Sequence, residues 1–173
     1  MIEREYLVAG MQVREHRLDV PLNWFDASDP RRISIFAREL SIAGRNADGL
    51  PCLLFLQGGP GGKCPRPTSQ SGWLAEALKS FSVILLDQRG TGQSSRIESS
   101  SIRGSSPQQI ADYLRCFRAD SIVADAEHLR KTQFGGRKWS TLGQSFGGFI
   151  TLTYLSQAPQ GLEACYITGG LPA

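Results

Sequence analysis

The chain has 173 residues, of which 40% are hydrophobic and 20% charged, and its formal net charge is +3. This length is sufficient for one domain with a buried core, and the composition is that of an ordinary globular protein. The basic residues are scattered in runs of at most two, so no concentrated positive patch indicates binding to nucleic acid or a membrane surface. We therefore expect neither as a partner.

The cysteines and the N-terminal stretch bear on metal binding and location. Met1–His16 is charged, and no apolar run approaches the roughly 20 residues that cross a bilayer, so we expect a cytoplasmic protein. Cys52, Cys64, Cys116 and Cys165 show no Cys-x-x-Cys spacing, and the chain has only two histidines. We therefore expect no metal site and no cofactor. Cys52 and Cys165 lie in apolar runs and are predicted to be buried thiols.

The first 43 residues alternate short apolar and polar runs. Tyr6–Val13 and Arg17–Pro21 are predicted to form an antiparallel pair, and Ile33–Leu40 a further strand. The pattern then changes to short, continuously apolar runs, Cys52–Leu56 and Ser82–Leu86. Such runs are typical of strands that are buried on both faces of a parallel sheet.

Helices and further strands alternate in the rest of the chain. Ser106 is a predicted N-cap, followed by Pro107 at the first helical position, whereas the serine-rich segment 94–106 is predicted to be a loop. The predicted helices are Trp73–Phe81, Ser106–Phe117, Asp120–Thr132 and Gly147–Ala158, and the later strands are Trp139–Leu142 and Glu163–Thr168. This order predicts an α/β fold with a mostly parallel sheet. We expect one partial domain over residues 1–173, with β strands in 1–43 and a β/α core in 52–168.

A five-residue motif, Gly143-Gln144-Ser145-Phe146-Gly147, lies between a predicted strand and a predicted helix. In a Gly-x-Ser-x-Gly turn the serine occupies a strained position, and small flanking residues let strand and helix approach each other. Ser145 is then expected above the carboxyl ends of the strands, where α/β sheets hold ligands. The alternative is a glycine-rich turn with an incidental serine.

The loop Gln57–Gly62 follows the first buried strand and is rich in glycine. Its backbone N–H groups are candidates for binding the oxygen of a reacting carbonyl group, and the N–H of Phe146 is a candidate second donor. A phosphate-binding loop is the alternative, but neither Gly-x-x-x-x-Gly-Lys-Ser/Thr nor Gly-x-Gly-x-x-Gly matches this segment.

Three motifs occur in order: LFLQGGPGG (Leu54–Gly62), LLDQRGTGQSS (Leu85–Ser95) and LGQSFGGF (Leu142–Phe149). Together they resemble the proline iminopeptidases of the α/β-hydrolase superfamily, and both ends of the chain resemble the larger bacterial subgroup. The resemblance covers essentially the whole chain. Many relatives carry His-Gly-Gly-Pro-Gly, whereas this chain has Gln57 in the first position.

The resemblance implies an α/β-hydrolase fold. It also implies an enzyme that releases N-terminal proline from small peptides through an acyl-enzyme. Ser145 would be the nucleophile. Backbone N–H groups of Gly58 or Gly59, together with that of Phe146, would hold the oxyanion.

Four residues beside this site are predicted to be structural. Asp87 ends a buried strand and Arg89 follows two residues later, so we predict a buried carboxylate–guanidinium pair that pins the loop. Gly143 and Gly147 are predicted to provide the space for the serine turn.

The usual partners of a serine nucleophile do not follow Ser145. In α/β-hydrolases Asp or Glu and then His come after the serine, but here Glu163 is the single acid and no His is present. His16 and His128 lie upstream and are predicted to be exposed residues of a strand and a helix. We therefore expect a fragment without the triad Asp and His and with little activity of its own, whose last strand is an apolar edge.

Two other functions remain open from the sequence. Another α/β-hydrolase chemistry, such as ester hydrolysis, fits the serine turn and the glycine loop equally well. A non-catalytic chain, either truncated or acting as a binding module, fits the absence of Asp and His after Ser145.

Overall fold

A seven-stranded sheet organises the computed structural model, which describes residues 2–170. The strands are β1 Ile2–Val8, β2 Met11–Pro21, β3 Arg32–Ile42, β4 Cys52–Leu56, β5 Ser82–Asp87, β6 Trp139–Gln144 and β7 Leu162–Thr168. Their order across the sheet is β1-β2-β3-β5-β4-β6-β7. The pairs β1-β2, β2-β3 and β3-β5 are antiparallel. The pairs β5-β4, β4-β6 and β6-β7 are parallel. This arrangement confirms the predicted fold class.

Helices cover both faces of the sheet. They are α1 Gly72–Ala77, α2 Ser99–Ile102, α3 Pro107–Arg115, α4 Ala119–Gln133 and α5 Phe146–Gln157, with 3-10 turns at Ala47–Gly49 and Pro159–Gly161. Apolar residues of α4 and α5 pack into the core on one face, and those of α1 pack on the other. The result is the layered α/β arrangement expected from the alternation of strands and helices.

The central strands owe their position to continuous apolar sequence. Side chains alternate between the two faces of a strand, so a strand that is covered on both faces must be apolar throughout. Every residue of β4 and β5 is buried. Leu54 packs in the cluster with α4 and α5, whereas the adjacent Phe55 packs in the cluster with α1.

The first hairpin differs from its prediction. β1 and β2 do pair antiparallel, but the turn is at Ala9-Gly10, and β2 runs without a break from Met11 to Pro21. Both turn residues have positive φ, +47° and +76°, as a two-residue type I′ hairpin turn requires. This local backbone geometry places the turn upstream of the segment predicted to connect the strands.

The helix boundaries also differ in two places. The N-cap of α3 is confirmed, since Ser106 and Gln109 form a capping box with Pro107 at the first position. By contrast, α1 ends at Ala77 rather than Phe81. The chain continues in turns, in which Lys79 and Ser80 N–H donate to Glu76 and Ala77 O, before Ser82 N–H donates to Pro51 O at the start of β5. The predicted serine-rich loop contains the short α2, which begins at a capping box formed by Glu98.

Candidate active site

Ser145 occupies the sharp turn between β6 and α5. Its backbone has φ +52° and ψ −117°, a conformation that costs a non-glycine residue on the order of 1–3 kcal/mol. Two hydrogen bonds hold the turn: Ser145 N–H donates to Thr168 O at 2.9 Å, and Gly148 N–H donates to Ser145 O at 2.8 Å. The residue is exposed, and its hydroxyl does not cap the helix. This is the strained strand-to-helix turn that the sequence predicts.

The two flanking glycines are required by the close approach of strand and helix. A Cβ on Gly147 would overlap the Leu56 carbonyl group, lying 2.6 Å from its carbon. A Cβ on Gly143 would lie 2.6 Å from the Gly147 carbonyl carbon and 2.5 Å from Thr151 Oγ1. Distances below 3 Å are not tolerated by real Cβ atoms, so α5 begins directly against the end of β4 only because both positions lack side chains.

The glycine-rich loop lies beside the serine turn. It follows β4, which is hydrogen-bonded to β6, so both segments leave the same edge of the sheet. Gly58 is buried, and a Cβ there would lie 3.1 Å from Ser145 Cβ and 2.9 Å from Gln144 O. Gly59 and Gly61 adopt φ of +134° and +88°, which favours glycine. The loop backbone therefore contacts the turn that carries Ser145.

Phe146 is the first residue of α5. The first N–H groups of a helix have no acceptor within the helix, and the helix dipole places partial positive charge there. The structure therefore brings together Ser145, the loop of Gly58 and Gly59, and the start of α5, as the sequence predicts.

The predicted ion pair between Asp87 and Arg89 is wrong. Both residues are buried, but Arg89 pairs with Asp125 of α4: Arg89 Nε to Asp125 Oδ2 and Arg89 Nη2 to Asp125 Oδ1 are both 2.7 Å. The Asp87 carboxylate instead accepts backbone N–H bonds from Cys64 and Gln93, each at 2.9 Å. The side chains diverge because Asp87 ends the strand, whereas Arg89 lies in the turn that follows and reaches α4.

The guanidinium of Arg89 ties four segments of the chain together. Besides Asp125, its Nη atoms donate to the carbonyl oxygens of Pro21, Leu22 and Cys116 at 3.1, 2.7 and 2.5 Å. Trp24 Nε1 donates to Asp125 Oδ1 at 2.8 Å. Burial raises the pKa of Asp125, and the hydrogen bonds from Arg89 and Trp24 oppose that rise. Arg89 is therefore a structural residue, as predicted, although its partner differs.

Neither histidine lies beside Ser145. His16 is on β2, and four strand spacings of about 4.8 Å separate β2 from β6, which gives about 19 Å. The prediction that His16 is exposed is wrong: it is 2% exposed and its Nε2 is 3.2 Å from Glu39 Oε2. His128 is half-buried rather than exposed, and its ring packs on Trp24 at 5.6 Å. The adjacent Glu127 accepts a hydrogen bond from Tyr154, which lies nine residues along α5 from Ser145, or about 13 Å at 1.5 Å per helical residue.

Glu163 is also remote from the serine turn. It lies at the start of β7, five residues before Thr168, which is the residue that holds Ser145. At about 3.3 Å per strand residue the two ends are about 16 Å apart. In the part of the chain that the structure describes, therefore, none of His16, His128 and Glu163 is close enough to accept the proton of Ser145.

Two further observations concern metal ions and membranes. Within residues 2–170, no group of three or more His, Cys, Asp or Glu side chains is arranged to hold a metal ion. In the same part of the chain, no helix combines the length and apolar character needed to cross a membrane.

Sequence reasoning missed one side chain next to this site, Gln88. It is 2% exposed, and its Nε2 donates to the carbonyl oxygen of Gln57 at 2.9 Å. The signal was its position directly after a buried strand, at the sheet edge where the glycine loop also emerges.

Comparison with known proteins agrees with this geometry. The sequence model of the α/β hydrolase fold family matches residues 51–173. A proline iminopeptidase from Aeromonas sobria is 48% identical over 166 residues, which cover 96% of this chain and 39% of that protein. A proline iminopeptidase from Aspergillus aculeatus is 41% identical over 165 residues, covering 90% of this chain and 36% of that protein. The chain thus spans less than two-fifths of the length of these relatives.

Solved structures support the fold. A hydrolase of 2-hydroxy-6-oxo-6-phenylhexa-2,4-dienoate from a Rhodococcus species superposes with a TM-score of 0.59 at 21% identity, covering 92% of this chain and 47% of that one. A cold-adapted esterase from an Arctic intertidal metagenomic library gives 0.58 at 16% identity, covering 95% and 63%. The family match covers well over half of the sequence and coincides with the serine turn and glycine loop described above, so this chain belongs to the α/β hydrolase fold family.

Proposed function

We propose that this chain carries the nucleophile and the oxyanion donors of a serine aminopeptidase that releases N-terminal proline from peptides. The observation that carries the proposal is the exposed Ser145, held at positive φ against the glycine loop. The similarity to two proline iminopeptidases supports the choice of substrate. In this proposal Ser145 Oγ attacks the prolyl carbonyl carbon, and the amine of the following residue leaves as an acyl-enzyme forms.

The proposed oxyanion donors are backbone N–H groups. In this proposal those of Gly58 or Gly59 and of Phe146 donate to the carbonyl oxygen of the substrate, on which negative charge develops. Donors that are fixed before the reaction stabilise the transition state by about 3–4 kcal/mol each. They need no metal ion or cofactor.

The proton of Ser145 needs an acceptor that residues 2–170 do not place nearby. A serine hydroxyl is a weak nucleophile until a base removes its proton. Since His16 is about 19 Å from the end of β6, we propose that the base and its orienting acid belong to another part of the whole protein. We accordingly expect these 173 residues alone to have little activity.

The whole protein provides the test of substrate class. Prolyl-2-naphthylamide is the substrate, and Ser145→Ala is expected to lower release of the amine by about 10³-fold or more. Ser156→Ala removes an exposed hydroxyl at the other end of α5 and is the matched control, with unchanged activity expected. A wild-type protein that cleaves acyl esters but no prolyl amide would show that the chemistry is that of an esterase.

A fluorophosphonate probe tests the missing base separately. The isolated 173-residue chain is expected to react with the probe at Ser145 at least 100-fold more slowly than the whole protein, because about 10²–10⁴-fold of rate comes from a positioned base. Equally rapid, stoichiometric labelling of both would contradict the absence of a base near Ser145.

A further inference from the structure

Gln88 is held rigidly next to the glycine loop. Its side chain is buried, and Nε2 donates to Gln57 O at 2.9 Å. The backbone carbonyl oxygen of Gln88 accepts two hydrogen bonds from Thr91, one from its N–H at 3.0 Å and one from its Oγ1 at 2.8 Å. Gln88 is therefore a fixed donor that acts on a loop with intrinsic flexibility, because Gly59 and Gly61 flank the single stiff residue Pro60.

The sheet order determines which side of the loop Gln88 contacts. β4 lies between β5 and β6, so the loop that follows β4 has the β5 end on one side and the β6 end on the other. Gln88 directly follows β5, and Ser145 directly follows β6. The peptide group between Gln57 and Gly58 is thus flanked by Gln88 and by the serine turn.

Peptide planarity links the two sides. In a trans peptide the C=O and N–H groups point in opposite directions. Since the Gln57 C=O accepts the hydrogen bond from Gln88, the Gly58 N–H of the same peptide points away from Gln88. Gly58 also contacts the serine turn, since a Cβ there would lie 3.1 Å from Ser145 Cβ.

We propose that Gln88 is a positioning residue for the oxyanion donors of the Gly58-Gly59 segment. Its hydrogen bond fixes the Gln57–Gly58 peptide and thereby the N–H groups that follow, relative to Ser145. This inference rests on the proposed function, since it assigns Gln88 to the same site. The proposed role does not require Gln88 to contact the substrate.

The whole protein with Gln88→Met tests the proposal, because methionine has a similar length but no N–H donor. We expect kcat for prolyl-2-naphthylamide to fall about 10- to 100-fold with KM within about threefold, because a displacement of about 1 Å in a catalytic group costs on the order of 10²-fold. Inhibition by prolinal, which forms a tetrahedral adduct, should weaken by the same factor. Inhibition by proline, which forms none, should not change.

Ser94→Ala is the matched control. It removes a buried hydroxyl from the same loop, one that bonds to the backbone of Phe36 and Asp87 and has no part in holding Gln88. Its melting temperature is compared directly with that of Gln88→Met, and its kcat and prolinal affinity are expected to stay at wild-type values. Equal losses of kcat in both variants, or an unchanged kcat and prolinal affinity in Gln88→Met, would overturn the positioning role.

The rate of Ser145 labelling by a fluorophosphonate separates this inference from the choice of substrate. When Ser145 Oγ attacks the phosphorus of the probe, negative charge develops on the P=O oxygen, which the proposed oxyanion donors would bind. If the wild-type protein releases no proline but is labelled, the peptidase proposal fails, and about tenfold slower labelling of Gln88→Met still supports the positioning role. Equal labelling rates would refute that role, and a wild-type protein that is neither active nor labelled would refute both proposals.

Discussion

Removal of the Asp125 carboxylate is expected to be among the most destabilising single changes in this chain. The Asp125 and Arg89 side chains are 1% and 0% exposed, and two bonds of 2.7 Å join them. Asp125→Ala leaves a buried guanidinium charge without a counter-charge, which costs about 3–5 kcal/mol. Trp24 Nε1 loses its acceptor at the same time. These losses are large because water does not reach the site to replace the carboxylate.

Urea unfolding of the whole protein at pH 7, followed by tryptophan fluorescence, measures this cost. The control is Asp112→Ala, which removes an exposed partner of Arg115 at 3.1 Å and is expected to change the free energy of unfolding by about 0.5 kcal/mol or less. The side chains of that pair are 54% and 64% exposed, so solvent screens their attraction. The comparison thus isolates the effect of burial on an aspartate–arginine pair.

A double-variant cycle tests whether the two charges act as a pair. Arg89→Met leaves a buried carboxylate alone, and the combined Arg89→Met, Asp125→Ala variant leaves neither charge. We expect the combined cost to be smaller than the sum of the single costs by about 2 kcal/mol. Additive costs, or a cost below about 1 kcal/mol for Asp125→Ala, would refute the reasoning that Asp125 rather than Asp87 balances Arg89.

Three further predictions concern packing, pH and thiol chemistry. Gly147→Ala places a methyl group on the Leu56 carbonyl and is expected to destabilise by about 3 kcal/mol or more in urea unfolding; a neutral effect would mean that α5 shifts freely. Burial raises the pKa of Glu127, but hydrogen bonds, first from Arg130, outweigh it and lower that pKa from 4.5 to about 2. The stability that Glu127 contributes is therefore present above pH 4.5 and lost as the pH falls towards 2, so Glu127→Gln should flatten acid unfolding in that window. Burial raises the pKa of Cys52 to about 11, so iodoacetamide at pH 8 should modify it only in urea, as read by mass spectrometry; labelling of the native protein would contradict its burial.

Features that depend on neighbouring residues were predictable from the sequence. The serine turn follows from two glycines at fixed spacing between an apolar run and a helical one, and the capping box of α3 follows from Ser106 and Gln109. The mixed sheet follows from the change between alternating and continuous apolar patterns. In each case the cause lies within a few residues along the chain, where spacing alone restricts the geometry.

Pairings between distant segments were not predictable in the same way. Arg89 and Asp125 are 36 residues apart, and Gln88 and Gln57 are 31 apart. The sequence places Asp87 closest to Arg89, but the direction in which each side chain leaves the end of β5 sends the guanidinium to α4 instead. His16 is buried because its strand is covered by α4 and by Phe134, whose ring lies 5.2 Å away.

Local chemistry thus dictates the turn that exposes Ser145 and the glycines of the loop beside it, since glycine conformations and apolar periodicity act over short distances. Only the tertiary structure decides that the loop after β4 lies between Gln88 and Ser145, because that neighbourhood depends on the strand order β5-β4-β6. It also decides that His16 lies about 19 Å from the serine turn. The order of strands across a sheet reflects packing of the whole domain, and a linear sequence does not display it.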